Sequence, residues 1–293
     1  MPKISVVIPS FNRIALLPRA LASIAAQTFR DFDVVIVNDG GDWPTSFTPQ
    51  HCGVGVRTLQ RHRGGPAAAR NSGLAVSDSD YIAYLDDDDE WLPDHLETLL
   101  TIMEREPKSE MAFGIADVVD NGIHIRRWGD CRFDKFILDS FHTVFPLSAC
   151  LHRRDLLRRS GVFDEHPLLI GPEDCEFTIR ASDHVLPVPS RRCTVTMHRD
   201  HSMTRAPRKQ WVDVLDHVIQ KNGYGVTRNN WLMFYRALIA AVDEGRADFA
   251  ERWADQLDRQ LPPNLRRSGM AISGDIQILP KGIKSFCRCA LES

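Results

Sequence analysis

"YIAYLDDDDEW", residues 81–91, runs from five apolar residues straight into four consecutive aspartates. Tyr81–Leu85 has the length and composition of a buried strand. The aspartates beyond it repel one another, so the end of that strand must meet positive charge. In an extended segment alternate residues share a face. Asp86 and Asp88 would then point one way, Asp87 and Asp89 the other. Hard cations such as Mg²⁺ and Mn²⁺ take oxygen ligands, typically one or two carboxylates plus phosphate oxygens. A solvated acidic loop, or the acidic start of a helix before "WLPDHLE", accounts for the same residues.

Outward from this stretch the chain alternates. Short β-branched runs at Ile4–Pro9, Asp31–Asp39 and Gly55–Gln60 read as buried strands. Arg13–Gln27, Gly65–Ser77 and Leu92–Glu106 read as helices, with Pro93 suited to the first turn of the last. Strands alternating with helices predict an α/β fold around a mainly parallel central sheet, Rossmann-like and buried on both faces. In such sheets ligands bind beyond the carboxyl ends of the strands. Three polar clusters lie there: Ser10–Asn12, Asn38–Asp42 and Asp86–Asp89. Arg61, Arg63 and Arg70 flank a glycine pair that opens a helix, an arrangement suited to phosphate. Acids for a metal and bases for a phosphate at one sheet edge point to a metal–diphosphate ligand.

Past Glu106 the strands are less regular. "EMAFGIADVV", "TVFPLSACLHR" and "VLPVPSRRCTVTMHR" read as extended, and "RRDLLRRS" and "PEDCEFTIRAS" as helices. After Pro207 three amphipathic patterns follow, "QWVDVLDHVIQKNG", "NNWLMFYRALIAAVDEG" and "DFAERWADQLDRQL", closed by Leu261–Pro263. The expected division is therefore residues 1–205, carrying the ligand site, and 206–293, a helical C-terminal extension. Trp211, Trp231, Phe234 and Trp253 are expected in the core of that extension, with an acceptor groove as the other use for such rings.

A net charge of -3 gives no general attraction to nucleic acid or anionic membrane. No apolar run approaches the roughly 18 residues of a membrane span. The seven cysteines are scattered, without zinc or redox spacing, which suits reduced thiols in a cytoplasmic protein. The tail "KGIKSFCRCALES", mixing basic and apolar residues, leaves a peripheral membrane contact as the alternative.

"ISVVIPSFNR", "DFDVVIVNDGGD", "GGPAAARNSGL", "YIAYLDDDDEWLPDHLE" and "SGVFDEHPLLIGPEDCEFTIR" occur in an order and spacing that resemble inverting, family 2-type glycosyltransferases with the GT-A fold. The resemblance covers roughly residues 3 to 205. It implies a nucleotide-sugar donor of the UDP or dTDP type. Asp39 matches the aspartate that contacts the base; Pro9 and Phe11 fall in the loop lining the nucleotide pocket, and Arg70 near the nucleotide. Asp86 and Asp88 match the D-x-D pair, the first toward ribose and metal, the second on the metal itself, Mn²⁺ or Mg²⁺. Asp174 matches the catalytic base with Glu173 its partner. His198 and His201 fall where a late metal-binding histidine sits, the "HRDH" spacing favouring His201. Asn38 departs from the family, which often has an aspartate there, and Trp43 and Pro44 stand where a helix usually begins.

Inverting transfer requires a neutralised leaving diphosphate, a carboxylate to take the acceptor proton, and in-line geometry. "GPEDCEFTIR" supplies that carboxylate, though Pro172, Glu173, Asp174 and Glu176 also suit a plain helix start. Arg191 and Arg192 suit phosphate or a solvated edge, and Trp91 a pocket wall or helix-start packing. The acceptor is expected to be a saccharide, a lipid-linked intermediate or a natural product, taking a single sugar. A processive synthase is disfavoured, because "Q-x-x-R-W" and membrane spans are missing. The rival readings are a haloacid dehalogenase-type phosphatase, whose D-x-D pair also follows a buried strand, and a nucleotide-sugar-binding protein without turnover.

Overall fold

The structure, a computed structural model, describes residues 1–43, 53–129, 133, 135–139, 141–142, 144–199, 211–226 and 230–260. His201, Pro44, Leu261–Pro263 and the C-terminal tail lie outside the described residues. The chain divides into two compact units, Met1–Asp134 with Thr143–Arg205, and Lys135–His142 with Ala206–Ser293.

The first unit is built on β1 (Ile4–Ser10), β2 (Phe32–Asn38), β3 (Gly55–Gln60), β4 (Tyr81–Tyr84), β5 (Asp89–Trp91), β6 (Met111–Asp120), β7 (Ile123–Trp128), β8 (Cys150–Arg153) and β9 (Val188–His198). They form one sheet in the order β3-β2-β1-β4-β8-β6-β9-β5, with β7 on β6. β1 pairs in parallel with β2 and β4, and β2 with β3. Every residue of β1 is buried, because helices cover both faces. α1 (Leu17–Ala25) and α3 (His95–Arg105) pack Leu17, Leu21, Ile24, Leu96, Leu99 and Met103 against Ile4, Val6 and Ile8. α2 (Pro66–Ala75) lies on the other face, where a Cβ on Gly73 would come within 2.4 Å of Val7 Cγ1. Beyond β4 the sheet is mixed: β8 runs antiparallel to β4 and β6, β6 parallel to β9, and β9 antiparallel to β5.

Several elements depart from the sequence reading. β3 is an edge strand with four of its six residues exposed, not a buried one, since no strand among the described residues lies beyond it. α1 begins at Leu17 rather than Arg13, with Pro18 in its first turn. α3 begins at His95, and Pro93 precedes it instead of joining its first turn. The cause is the β5–β9 ladder, which continues as Leu92 N–H donates to Thr194 C=O at 2.9 Å. β5 itself and β7 are additional strands. β7 folds back on β6 through Asn121 and Gly122, both at positive φ (49° and 80°), as a two-residue hairpin turn demands. Among the described residues of "TVFPLSACLHR", Cys150–Arg153 is the strand, preceded by a 3₁₀ turn at Leu147–Ala149. α5 (Arg154–Ser160) and α6 (Glu173–Ser182) complete this unit.

The second unit contains α4 (Lys135–Asp139), α7 (Trp211–Lys221), α8 (Trp231–Asp243) and α9 (Ala247–Gln260). The amphipathic pattern expected of the three long helices is realised: Val212, Leu215, Val218, Phe234, Leu238 and Leu257 are all buried. Trp253 is fully buried and meets Phe234 edge-on at 5.6 Å, and Trp231 is buried too. Trp211 is half-buried against Phe141. These rings serve as core. Among the described residues no helix is long and apolar enough to cross a membrane.

Candidate active site

The carboxyl ends of β4 and β2 and the start of α6 carry three groups of side chains, the first and third joined through Arg70. At the end of β4 the chain turns instead of staying extended: Asp89 N–H donates to Asp86 C=O at 3.1 Å. The turn breaks the two-residue alternation expected for the aspartates. Asp86 Oδ1 accepts from Arg70 Nη2 at 2.7 Å. Asp87 and Asp88 both meet Arg13, whose Nη1 lies 3.5 Å from Asp87 Oδ1 and 2.9 Å from Asp88 Oδ2. Asp89 is buried and accepts a 2.6 Å bond from Ser148 Oγ. Arg19 Nη2 donates to the Asp88 carbonyl at 2.6 Å. Three arginines and a hydroxyl thus answer the repulsion. Burial pushes the Asp87 carboxyl up to about 7 and that of Asp89 well above the usual range.

The second group lies after β2. Asp39 is buried, and its carboxylate accepts the backbone N–H of Gly64 at 3.0 Å and of Gly65 at 2.7 Å, along with the Arg61 guanidinium. Gly65 stands at φ 89° as the chain enters α2. Asn38 closes the loop: Nδ2 donates to Gly41 C=O and Gln60 Oε1, each at 2.7 Å, while Oδ1 accepts from Gly41 N–H at 2.9 Å. Only an amide can donate and accept in this way, which explains asparagine at a position where an aspartate resembles the family better. Arg63 stacks over the Phe11 ring at 4.4 Å. Pro9 is buried in β1 opposite Val37.

The third group opens α6. Glu173 is buried, with Oε1 taking a 2.8 Å bond from Arg70 Nη1 and Oε2 a 2.7 Å bond from Gly171 N–H. Asp174, next to it, keeps partial access to solvent, and its Oδ1 accepts from Cys175 N–H at 2.6 Å. Burial and the Glu173 charge push Asp174 up to about 7, against the opposing pull of Arg70. A carboxyl near 7 is poised to exchange a proton. Glu173 is fully committed to its partners, whereas Asp174 is the carboxyl left accessible.

His198 Nε2 is hydrogen-bonded to Glu90 Oε1 at 2.5 Å. Among the described residues no three ligating side chains converge on a metal-sized space. Trp91 is buried, donates to Ser148 C=O and stacks on His95 at 4.4 Å, so it packs the interior rather than walling a pocket. Arg192 pairs with Asp94 at 2.6 Å on an exposed edge. The sequence reading did not single out Arg13, Arg19 or Ser148. Arg13 carried a signal, since it directly follows the polar cluster ending β1; Ser148 carried none.

The model of glycosyl transferase family 2 matches residues 5–161, more than half of the chain. The chain belongs to this family. Asp174 and Glu173 lie beyond the matched range. The family 2 chain is 40% identical over 105 residues to the succinoglycan biosynthesis protein ExoW of Rhizobium meliloti, covering 33% of this chain and 32% of that one. It is 34% identical over 105 residues to the GalNAc(5)-diNAcBac-PP-undecaprenol beta-1,3-glucosyltransferase of Campylobacter jejuni, covering 34% of each. The matched stretch thus spans about a third of these two relatives. Residues 1–349 of TarS from S. aureus share the fold, with a TM-score of 0.67 at 16% identity over 87% of this chain and 83% of that one. TarS has also been solved with UDP-GlcNAc. The α/β sheet is that of the GT-A architecture expected for family 2, and a helical C-terminal region is present beside it. The phosphatase reading loses its basis with this membership.

Proposed function

We propose that this family 2 chain transfers one sugar from a UDP- or dTDP-type nucleotide sugar to an acceptor hydroxyl, with inversion at the anomeric carbon. The observation that carries the reading is Asp174, an accessible carboxyl held near 7 at the start of α6, tied through Glu173 and Arg70 to Asp86 at the rim of the sheet. A uridine donor is supported by the UDP-GlcNAc complex of TarS, and a saccharide or lipid-linked acceptor by the names of the two relatives. We assign residues 1–205 to the transfer reaction and 206–293 to a helical extension.

In this reading Asp39 orders the Gly64–Gly65 turn and presents its remaining lone pair to the N3–H of the pyrimidine, beside the ring of Phe11 and the end of β1 at Pro9. Asp86 faces the ribose and diphosphate, its side chain 37% exposed while Arg70 supports it from beneath. Asp86 and Asp88 offer hard oxygen donors on one turn, a set that fits Mg²⁺ or Mn²⁺ completed by phosphate oxygens. Such an ion, when bound, stabilises the charge of the departing diphosphate. Arg13 neutralises Asp87 and Asp88 from the other side and stands within reach of the same diphosphate. Asp174 takes the acceptor proton, and Glu173 keeps it oriented and basic. His198, held by Glu90, and His201 are the further candidates for the ion.

Calorimetry of UDP, dTDP, GDP and CDP, each with Mn²⁺ and with EDTA, tests the donor side. UDP or dTDP should bind tightest, and Mn²⁺ should strengthen binding in the wild type but not in Asp88→Asn. GDP as the tightest ligand would contradict the role given to Asp39, and equal affinity with Mn²⁺ and with EDTA the role given to Asp88.

A further inference from the structure

We infer that Arg70 is a positioning residue: its buried guanidinium clamps the donor turn at Asp86 to the start of α6 at Glu173, and it serves the reaction through these two carboxylates rather than by touching the nucleotide. The inference rests on the reading of Asp174 as the base.

The geometry carries it. Arg70 comes from the middle of α2 and is 4% exposed, leaving no surface for a ligand. Its two terminal nitrogens serve different partners, Nη2 on Asp86 at 2.7 Å and Nη1 on Glu173 at 2.8 Å. These partners stand at the end of β4 and the head of α6, 87 residues apart in the chain, which nothing covalent holds together. A planar fork fixes both carboxylates at once, which a single ammonium cannot do. The ring of Phe163 backs the guanidinium at 5.5 Å. The next residue of the same helix reinforces the clamp: Asn71 Nδ2 donates to Phe163 C=O at 2.9 Å, and Asn71 Oδ1 accepts from Phe163 N–H at 3.0 Å. Asn71 also reaches Glu165 at 2.8 Å. Two adjacent side chains of α2 therefore hold both ends of the segment leading into α6.

The charges around Asp174 make the clamp readable. Glu173 faces it from its own helix, Asp86 from the end of β4, Arg70 from α2, and the buried thiol of Cys150 from β8. Glu173 and Asp86 raise its affinity for a proton, and Arg70 lowers it. Removing the cation and removing the neighbouring anion should thus move Asp174 in opposite directions, a pattern that general damage to the fold does not produce.

The test is a carboxyl-carbon NMR titration of the full-length chain in EDTA, with aspartate labelled and the Asp174 signal assigned by its loss in Asp174→Asn. Wild type should titrate near 7. Arg70→Gln should raise the midpoint by about one unit; Arg70→Lys, whose single ammonium keeps the charge but cannot hold both carboxylates, should return the midpoint most of the way while single-turnover transfer stays slower than wild type. Glu173→Gln should lower it by a similar amount; if Arg70→Gln does not fold, Arg70→Lys decides the matter, and its transfer at the wild-type rate would overturn the inference. Midpoints within about 0.3 of wild type in Arg70→Gln and Glu173→Gln, or shifts of one sign in both, would overturn the inference. The base assignment fails separately, if Asp174→Asn transfers sugar at the wild-type rate whatever the titrations give.

Discussion

Asn38 shows how much one side chain decides at the rim of the sheet. Its amide satisfies Gly41 on both sides and bonds Gln60, holding the loop that carries Asp39. Asn38→Asp keeps the shape but turns two donated bonds into contacts between oxygens. It should cost about 1–3 kcal/mol in urea unfolding, the penalty of unpaired buried polar groups; a variant as stable as wild type would show that the loop does not depend on those bonds. At this scale the sequence located Asp39, Asp86 and Asp174 at strand and helix ends, because polar residues that interrupt apolar runs are conspicuous. It missed the partners. Arg13 looked like the first residue of a helix, and Ser148 sits in an apolar stretch where nothing distinguishes a serine that bonds Asp89 from one that does not.

At the scale of elements, the parallel half of the sheet was legible because buried strands are unbroken apolar runs. β5 was not. Asp89–Trp91 has no strand pattern of its own and is extended because β9 pairs with it. β7 was missed for the opposite reason. "IHIRRW" does alternate, but its isoleucines face solvent, 71% exposed at Ile123, so burial could not flag it. The turn signal Asn121–Gly122 was there to be read. α2 illustrates a constraint that composition hides. Its mean polarity is unremarked, yet Gly73 is where it touches β1 and β2, and a methyl group there would enter the space of Val7 and Val37. Gly73→Ala should therefore destabilise the protein by about 1–3 kcal/mol despite the better helix propensity of alanine, because overpacking outweighs it. Urea unfolding decides this; a stabilised variant would mean that α2 can shift away from the sheet.

For the molecule as a whole, the role proposed for Asp174 carries a cost in stability. The folded chain holds the Asp174 proton near 7, above the ordinary 3.8. The stabilising effect of that proton is complete below pH 4 and is lost as pH rises through 7, where the ionised, partly buried carboxylate opposes folding. Asp174→Asn removes the ionisation. The variant should gain stability relative to wild type on going from pH 4 to pH 8, by about 1–3 kcal/mol once partial exposure is allowed for. Unfolding curves with the same difference at both pH values would contradict the placement of this carboxyl. Single-turnover transfer by Asp174→Asn tests whether the same residue takes the acceptor proton. Asparagine keeps the size of the side chain and removes its basicity. With donor bound to saturation, transfer should be slower than wild type by about 10²–10⁴. Transfer at the wild-type rate, under conditions where the chemical step limits turnover, would contradict it.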